Sequence, residues 1–321
     1  MAEETAAQPS LQTVLNELEV QRKELSNLKT KAYLFLASGI ALIAVGVMLG
    51  SLIIAGAICG GILIIVSIVF FSKASQKFSD YRDQFKQRVV SAALKSIDQS
   101  FKIEYKYGLP ENDFINSQLF TQRPDRYTSE DQIYGNAGKT QFAFSEVHAE
   151  YKTETQTKNG RQEHWHTILK GIVFWADFNK NFNGLTVVKP KDMGSALGAW
   201  ISDKIPIFSS SSKQLVKLES PEFNKAFVTY STDQVEARYI LTPAMMERLC
   251  ELNDKSGATI SVSFIGSYVY IAFPLEKDYF EPPVFKSLLT TKSLDEDLSI
   301  IRFMYAIIAE LDLNTRIWGK E

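Results

Sequence analysis

The chain has 321 residues, a formal net charge of −2, and 45% hydrophobic and 12% aromatic side chains. That length supplies more than one domain, and the near-neutral balance excludes a general electrostatic attraction to nucleic acid. Only two cysteines occur, Cys59 and Cys250, which excludes a disulfide framework.

Leu11, Leu18 and Leu25 recur every seven residues, with Val14, Gln21 and Leu28 in the paired positions and Glu17, Glu19, Arg22, Lys23 and Glu24 outside them. This predicts an amphipathic, coiled-coil-like helix over residues 1–31. Three heptads with a glutamine in the seam are marginal alone, so the helix requires something to pack against.

Residues 32–72 contain no charged side chain. One bilayer crossing takes about 20 apolar residues at about 1.5 Å each, so this stretch is sized for two. The break falls at Gly50-Ser51 and predicts a transmembrane hairpin with spans at about 33–49 and 52–71. A secretory signal core of roughly 7–15 residues is far shorter. Gly46 and Gly50, and again Gly56 and Gly60, put small residues on one helix face, for packing either within the hairpin or between protomers. The absence of Asp, Glu, Lys, Arg and His in the spans argues against a proton relay, an ion pathway or a transporter site.

Arg22, Lys23, Lys29 and Lys31 precede the spans, and Lys73, Lys77, Arg82, Lys86 and Arg88 follow them. Basic flanks stay on the cytoplasmic side, which predicts both termini there and, in a bacterium, a multi-pass inner-membrane protein. After the second span, Phe78, Tyr81, Phe85, Val89, Leu94 and Ile97 form a stripe at helical spacing and predict a membrane-proximal helix over 73–100. Helices 11–28 and 74–97 then pair with each other, or serve a homo-oligomer or a protein partner.

Residues 101–321 read as a cytoplasmic α+β domain with antiparallel sheet and flanking helices. Over Thr140–Lys152, Phe142, Phe144, Glu146, His148 and Glu150 alternate with Ala143, Ser145, Val147 and Ala149, a strand pattern. The polar run to Asn159-Gly160 turns into a second alternating stretch, Glu163–Phe178, so the two form a hairpin. All three histidines lie in it. A pairing centred on Gln156–Lys158 brings Glu146 and His148 beside His164 and His166, a donor set suited to zinc or another divalent ion. The other reading makes them half-exposed polar positions on the solvent side, and a slip of one residue separates the set. No cofactor is predicted.

Lys191–Lys213 reads as a loop excursion ending in a serine tract, or as a short helix lying on the membrane surface. Ser195, in Gly-Ser-Ala-Leu-Gly, does not match the Gly-x-Ser-x-Gly nucleophile turn. Strands are expected at Ala226–Ser231 and Val235–Ile240, then a helix over Ala244–Leu252 with Thr242 as N-cap and Pro243 in its first position. Strands at Thr259–Ile265 and Tyr268–Pro274 follow, joined at Gly266-Ser267. A last helix, Leu294–Leu313, opens with Ser293 and Glu296 at capping-box spacing.

Five motifs occur in order: Tyr127-x-Ser-Glu-Asp131, Phe144-Ser-Glu-Val147, Lys170-Gly-Ile-Val-Phe-Trp-Ala-Asp-Phe-Asn-Lys180, Ser220-Pro-Glu-Phe-Asn224 and Tyr239-Ile-Leu-Thr-Pro-Ala-Met-Met-Glu247. With the hairpin before them, they resemble the bacterial membrane proteins of domain-of-unknown-function family 3137, from the first span to about Pro282. The resemblance implies a two-span bacterial protein with a cytoplasmic domain, and brings no activity, cofactor or catalytic residue. The chain lacks a phosphate loop, His-Glu-x-x-His, Cys-x-x-Cys and a nucleophile elbow. The favoured function is therefore a membrane-anchored interaction or regulatory module. The alternative is a tethered enzyme or metal or ligand sensor using the hairpin at 140–178.

Overall fold

In the computed structural model, which describes residues 11–157, 160–178, 181–191, 214–275, 277–289, 293–311 and 313, the heptad segment and the first apolar stretch form one unbroken helix, α1 (Leu11–Leu49). Gly50 adopts a φ of +62°, a conformation open to glycine at little cost, and the chain reverses into α2 (Ile53–Gln84). α2 continues through a six-residue π-helix (Phe85–Val90) into α3 (Ser91–Ile97). Two compact units result, and the first draws on Met1–Ala93 and Phe280–Asp297.

In this helical unit α1 and α2 run antiparallel. Val14, Leu18 and Leu25 are buried, as are Tyr81, Phe85 and Val89. The seam Gln21 donates from Nε2 to Gln84 Oε1 at 3.0 Å, and Ser67 Oγ donates to the Ala32 carbonyl at 2.8 Å. Glu24 meets Lys77 at 2.6 Å and Glu17 meets Arg88 at 2.8 Å. Such exposed pairs contribute about 0–1 kcal/mol each, so they set register more than stability. Both helices are long and apolar enough to cross a membrane. Around the turn their side chains have no protein cover, with Met48 86% and Ile54 76% exposed.

The Phe280–Asp297 segment, which the sequence placed with the α+β domain, groups with the helices. Buried polar groups hold it there. Glu19 accepts from Arg22 Nε at 2.8 Å and from the Leu288 amide at 3.0 Å, while Arg22 Nη1 donates to the Val284 carbonyl at 2.8 Å. Tyr81 donates to the Pro283 carbonyl at 3.0 Å, and the buried Lys86 ammonium lies 2.8 Å from Glu281.

The second unit, Leu94–Tyr279 with Leu298–Glu321, carries a nine-stranded sheet among its described residues. Its elements in order are β1 (Lys102–Glu104), α4 (Glu111–Asn116), β2 (Arg126–Ala137), β3 (Thr140–Thr157), β4 (Gly160–Asp177), β5 (Thr186–Pro190), β6 (Gln214–Val216), α5 (Pro221–Ala226), β7 (Phe227–Ser231), α6 (Gln234–Ile240), α7 (Pro243–Ser256), β8 (Ser261–Ile265), β9 (Tyr268–Pro274) and α8 (Ser293–Glu310). The strand order is β1-β2-β3-β4-β9-β8-β5-β7-β6, and every pairing is antiparallel. The fold is thus α+β. β1, β2, β5 and β6 have no counterpart in the sequence reading, and residues 192–213, most of the expected excursion, lie outside the described set.

One face of the sheet carries Phe142, Phe144, Ile172, Phe174, Ile271 and Phe273, all buried. α8 covers it, with Tyr305 against Phe142 and Phe303 against Phe273. The other face holds a cluster of Val147, Ala149, Leu169, Val173 and Ala272 under Leu109, Phe114 and Leu119.

One element departs from its expected type. Val235–Ile240 lies in a helix, not a strand, because Asp233 caps it: its carboxylate accepts from the Val235 and Glu236 amides. The burial follows a helix, with Glu236, Ala237 and Ile240 inward while Val235 is 79% exposed.

Candidate functional site

β3 and β4 form a long ribbon, and its register decides what the predicted donors can do. The turn is closed by Thr157 paired with Gly160, residues 158–159 lying outside the described set. Glu146 is paired with Ile172 and His148 with Lys170, whereas His164 is opposite Thr153 and His166 opposite Tyr151.

Between Ala149/Leu169 and Glu150/Thr167 the ladder holds one extra residue, Ile168, a β-bulge. Leu169 and Ile168 both turn toward the Val147 cluster. Alternation on β4 therefore restarts out of phase, as happens whenever strand register slips by one. Glu146 and His148 share the face of Phe142 and Phe144, while His164 and His166 share the opposite face with Tyr151 and Thr153. The contacts agree: His166 stacks on Tyr151 at 4.9 Å and its Nε2 lies 2.8 Å from Thr153 Oγ1. The bulge thus separates the four donors onto two faces rather than bringing them together.

Glu146 and His148 do line a polar cleft of about 220 Å³, with Thr128, Ser129, Glu130, Val147, Lys170, Gly171, Lys277 and Asp278. It forms where the apolar face ends and charged residues begin. The Tyr279 amide donates to Glu146 Oε1 at 2.6 Å, Ser129 Oγ donates to the Glu146 carbonyl at 2.7 Å, and Lys170 Nζ meets Asp278 at 3.1 Å. Gly171 is required for close approach, because a Cβ there would lie 2.0 Å from the Phe273 carbonyl oxygen. His148, 43% exposed, has Glu150 at 3.6 Å. Glu130, Glu146 and Asp278 face Lys170, Lys277 and His148, so the cleft suits a small polar or zwitterionic group. Sequence reading missed Lys277 and Asp278 as lining residues, since the segment after β9 has no periodicity to mark it, and missed Lys170 because its place beside His148 follows from the β3–β4 register.

Beyond the bulge the ribbon is a solvent-exposed arm. Arg126 lies 4.0 Å over the Trp165 ring. Lys152 bridges Glu154 and Glu163, both at 3.0 Å, and Arg161 pairs with Glu154. Glu154 and Glu163 are directly opposed, and the lysine between them offsets the repulsion.

In the apolar hairpin, three of the four predicted packing glycines lie in the seam. A Cβ on Gly46 would meet Gly56 Cα at 3.1 Å, one on Gly56 the Leu42 carbonyl oxygen at 2.8 Å, and one on Gly60 the Gly39 carbonyl oxygen at 2.6 Å. Gly50 serves the turn instead, and a Cβ there would meet nothing within 4 Å. Gly39, seven residues before Gly46, completes the set and was the recognisable signal missed.

The fold defines an α+β protein that carries two helices able to cross a membrane. The family model described as "Protein of unknown function (DUF3137)" matches residues 167–313, a stretch reaching from β4 past the end of α8 and leaving the motifs at 127–131 and 144–147 outside it. No curated protein matches. Among solved structures, the chain has a likeness to the crystal structure of the mycobacterial trehalose monomycolate transport factor A, TtfA. The identity is 13% and the TM-score 0.34, over 69% of this chain and 93% of that one.

Proposed function

We propose that the protein is a two-span membrane-anchored interaction module of the DUF3137 type, with both termini and the α+β unit on the cytoplasmic side of a bacterial inner membrane. The observation that carries this reading is the apolar hairpin, whose outward side chains, among them Met48, Ile54 and Ile65, have no protein cover. In water that surface is a liability, and in hydrocarbon it is matched. The basic flanks favour cytoplasmic ends. The outer surfaces of helices 11–28 and 74–97 are available to a second copy or a partner.

The test is alkaline extraction of membranes with protease digestion from each side, joined to photo-crosslinking from the exposed helix positions Val20 and Asp80. Retention in the membrane, digestion only from the cytoplasmic side and one discrete crosslinked protein are expected. Release into the soluble fraction overturns the anchoring, and lack of any crosslinked protein overturns the interaction role.

A second reading, a ligand sensor, is favoured by the mixed-charge cleft at Glu146, His148 and Lys170. His164 and His166 take no part in it. Loss of a bound small polar ligand in Lys170→Ala with unchanged folding is its expected signature.

A further inference from the structure

On the sheet face that carries the Val147 cluster, Leu109, Phe114 and Leu119 join Val147, Ala149, Leu169 and Val173, and the half-buried Trp175 packs at the cluster's margin. From that margin β1, β2, β3, β4 and β9 present an open row in which Tyr134 is paired with Ala143 and Ala143 with Trp175. The result is a second cleft, of about 460 Å³, with Tyr268 at its margin, 42% exposed. That volume is within the roughly 300–1,000 Å³ of small-molecule sites.

We propose that this cleft binds a neutral sugar ring. Ala143 is the small floor, and the half-buried rings of Tyr134 and Trp175 rise from the strands on either side of it. The backbones that carry those walls are two strand spacings apart, about 9.6 Å at about 4.8 Å each. A flat base stacked on both sides takes up only about 7–7.5 Å at carbon contacts of about 3.5 Å or slightly more. The remaining width of about 2 Å suits a puckered, saturated ring that offers C–H groups to each aromatic face. Tyr134 is held in place, since its hydroxyl donates to Glu104 Oε1 at 3.0 Å.

The rim fits the same chemistry. Gln132, Asn136 and Gln141 line it, and their side-chain amides make no hydrogen bond to another described residue, so each has a donor and an acceptor to offer a ligand. Lys102 and Glu104 contribute opposite charges at the β1 edge, which leaves no net field to select an anion. Aromatic walls with amides at the rim match alternating C–H and hydroxyl groups of a pyranose better than they match a phosphate or a lipid chain.

The test is calorimetric titration of the full chain, in a detergent without a sugar headgroup, with maltose, cellobiose and, as a planar probe, adenosine. Saturable binding of a disaccharide is expected, about tenfold weaker in Trp175→Ala, which also lowers the melting curve because Trp175 packs on the Val147 cluster, and several-fold weaker in Gln141→Ala with an unchanged melting curve. Should Trp175→Ala disturb the fold, the exposed-rim variant Gln141→Ala and Tyr134→Leu, which removes the second aromatic wall, decide the matter by the same loss. The proposal is overturned if neither disaccharide saturates, if binding is indifferent to these substitutions, or if adenosine binds while the disaccharides do not.

Discussion

Glu19 illustrates how single side chains hold the helical unit together. Its carboxyl is held below the ordinary value of 4.5, first by the Arg22 hydrogen bonds, with burial opposing and the Leu288 amide assisting. A carboxylate with a lowered folded pKa contributes fully above its ordinary value and loses that contribution as pH falls through the lowered one. Protection of the Leu288 amide, measured against its intrinsic exchange rate at each pH, should therefore be high at pH 7 and fall in acid below the ordinary carboxyl value. In Glu19→Gln it should already be low at pH 7, because breaking a buried pair costs about 3 kcal/mol or more; equal protection in both proteins would remove the clamp. Gly171→Ala is a second residue-scale case, since the added Cβ meets backbone on β9 that cannot yield. A loss of about 2 kcal/mol and a lower Tm are expected. Neither effect was legible in sequence. The Glu19–Leu288 contact spans most of the chain, and Gly171 reads as a plain member of an alternating strand until its partner strand is known.

Among elements, the glycine seam makes the clearest demand. Gly60→Val should reduce disulfide formation between cysteines placed at Tyr33 and Phe71, whose rings are now 5.1 Å apart, while Gly61→Val, which meets nothing within 4 Å, should leave it unchanged. Equal crosslinking in both would count against the seam. Asp233→Ala removes the acceptor for two amides at the start of α6 and should cost about 1 kcal/mol, read by denaturant unfolding. The elements most legible in sequence were those with a strong local signal. Thr242-Pro243 opens α7, and Gly266 at a φ of +62° joins β8 to β9. α6 was misread because Val235, Ala237 and Tyr239 alternate like a strand, while the cap that decides the matter lies outside the run. β5 was invisible because a buried lysine and a proline end it, although all five of its residues are covered by β7, β8 and their surroundings.

For the whole molecule, the prediction concerns partition between water and lipid. Gly56→Asp places a charge in the apolar stretch at a cost of about 2.5–3.5 kcal/mol for insertion. The variant should appear in the soluble or degraded fraction, and normal membrane recovery would contradict the second span. The antiparallel α+β architecture and the apolar hairpin could be read from periodicity alone. The candidate site could not, because it depends on which face each half of the β3–β4 ribbon presents, and that depends on a single unpaired residue.

That residue, Ile168, acts as a phase switch for everything distal to it. One amino acid inserted in β3 after Ala149 would give Ile168 a partner, restore a regular ladder and turn the outer arm over by half a revolution. Trp165 would leave the Arg126 guanidinium and emerge on the far side, and both arm histidines would arrive on the side of His148. Composition, length to within one residue and the core beneath would all be preserved. Two chains of this kind can therefore be almost identical letter by letter and still display opposite surfaces, so a comparison of their arms has meaning only after the residues opposite Ile168 have been counted.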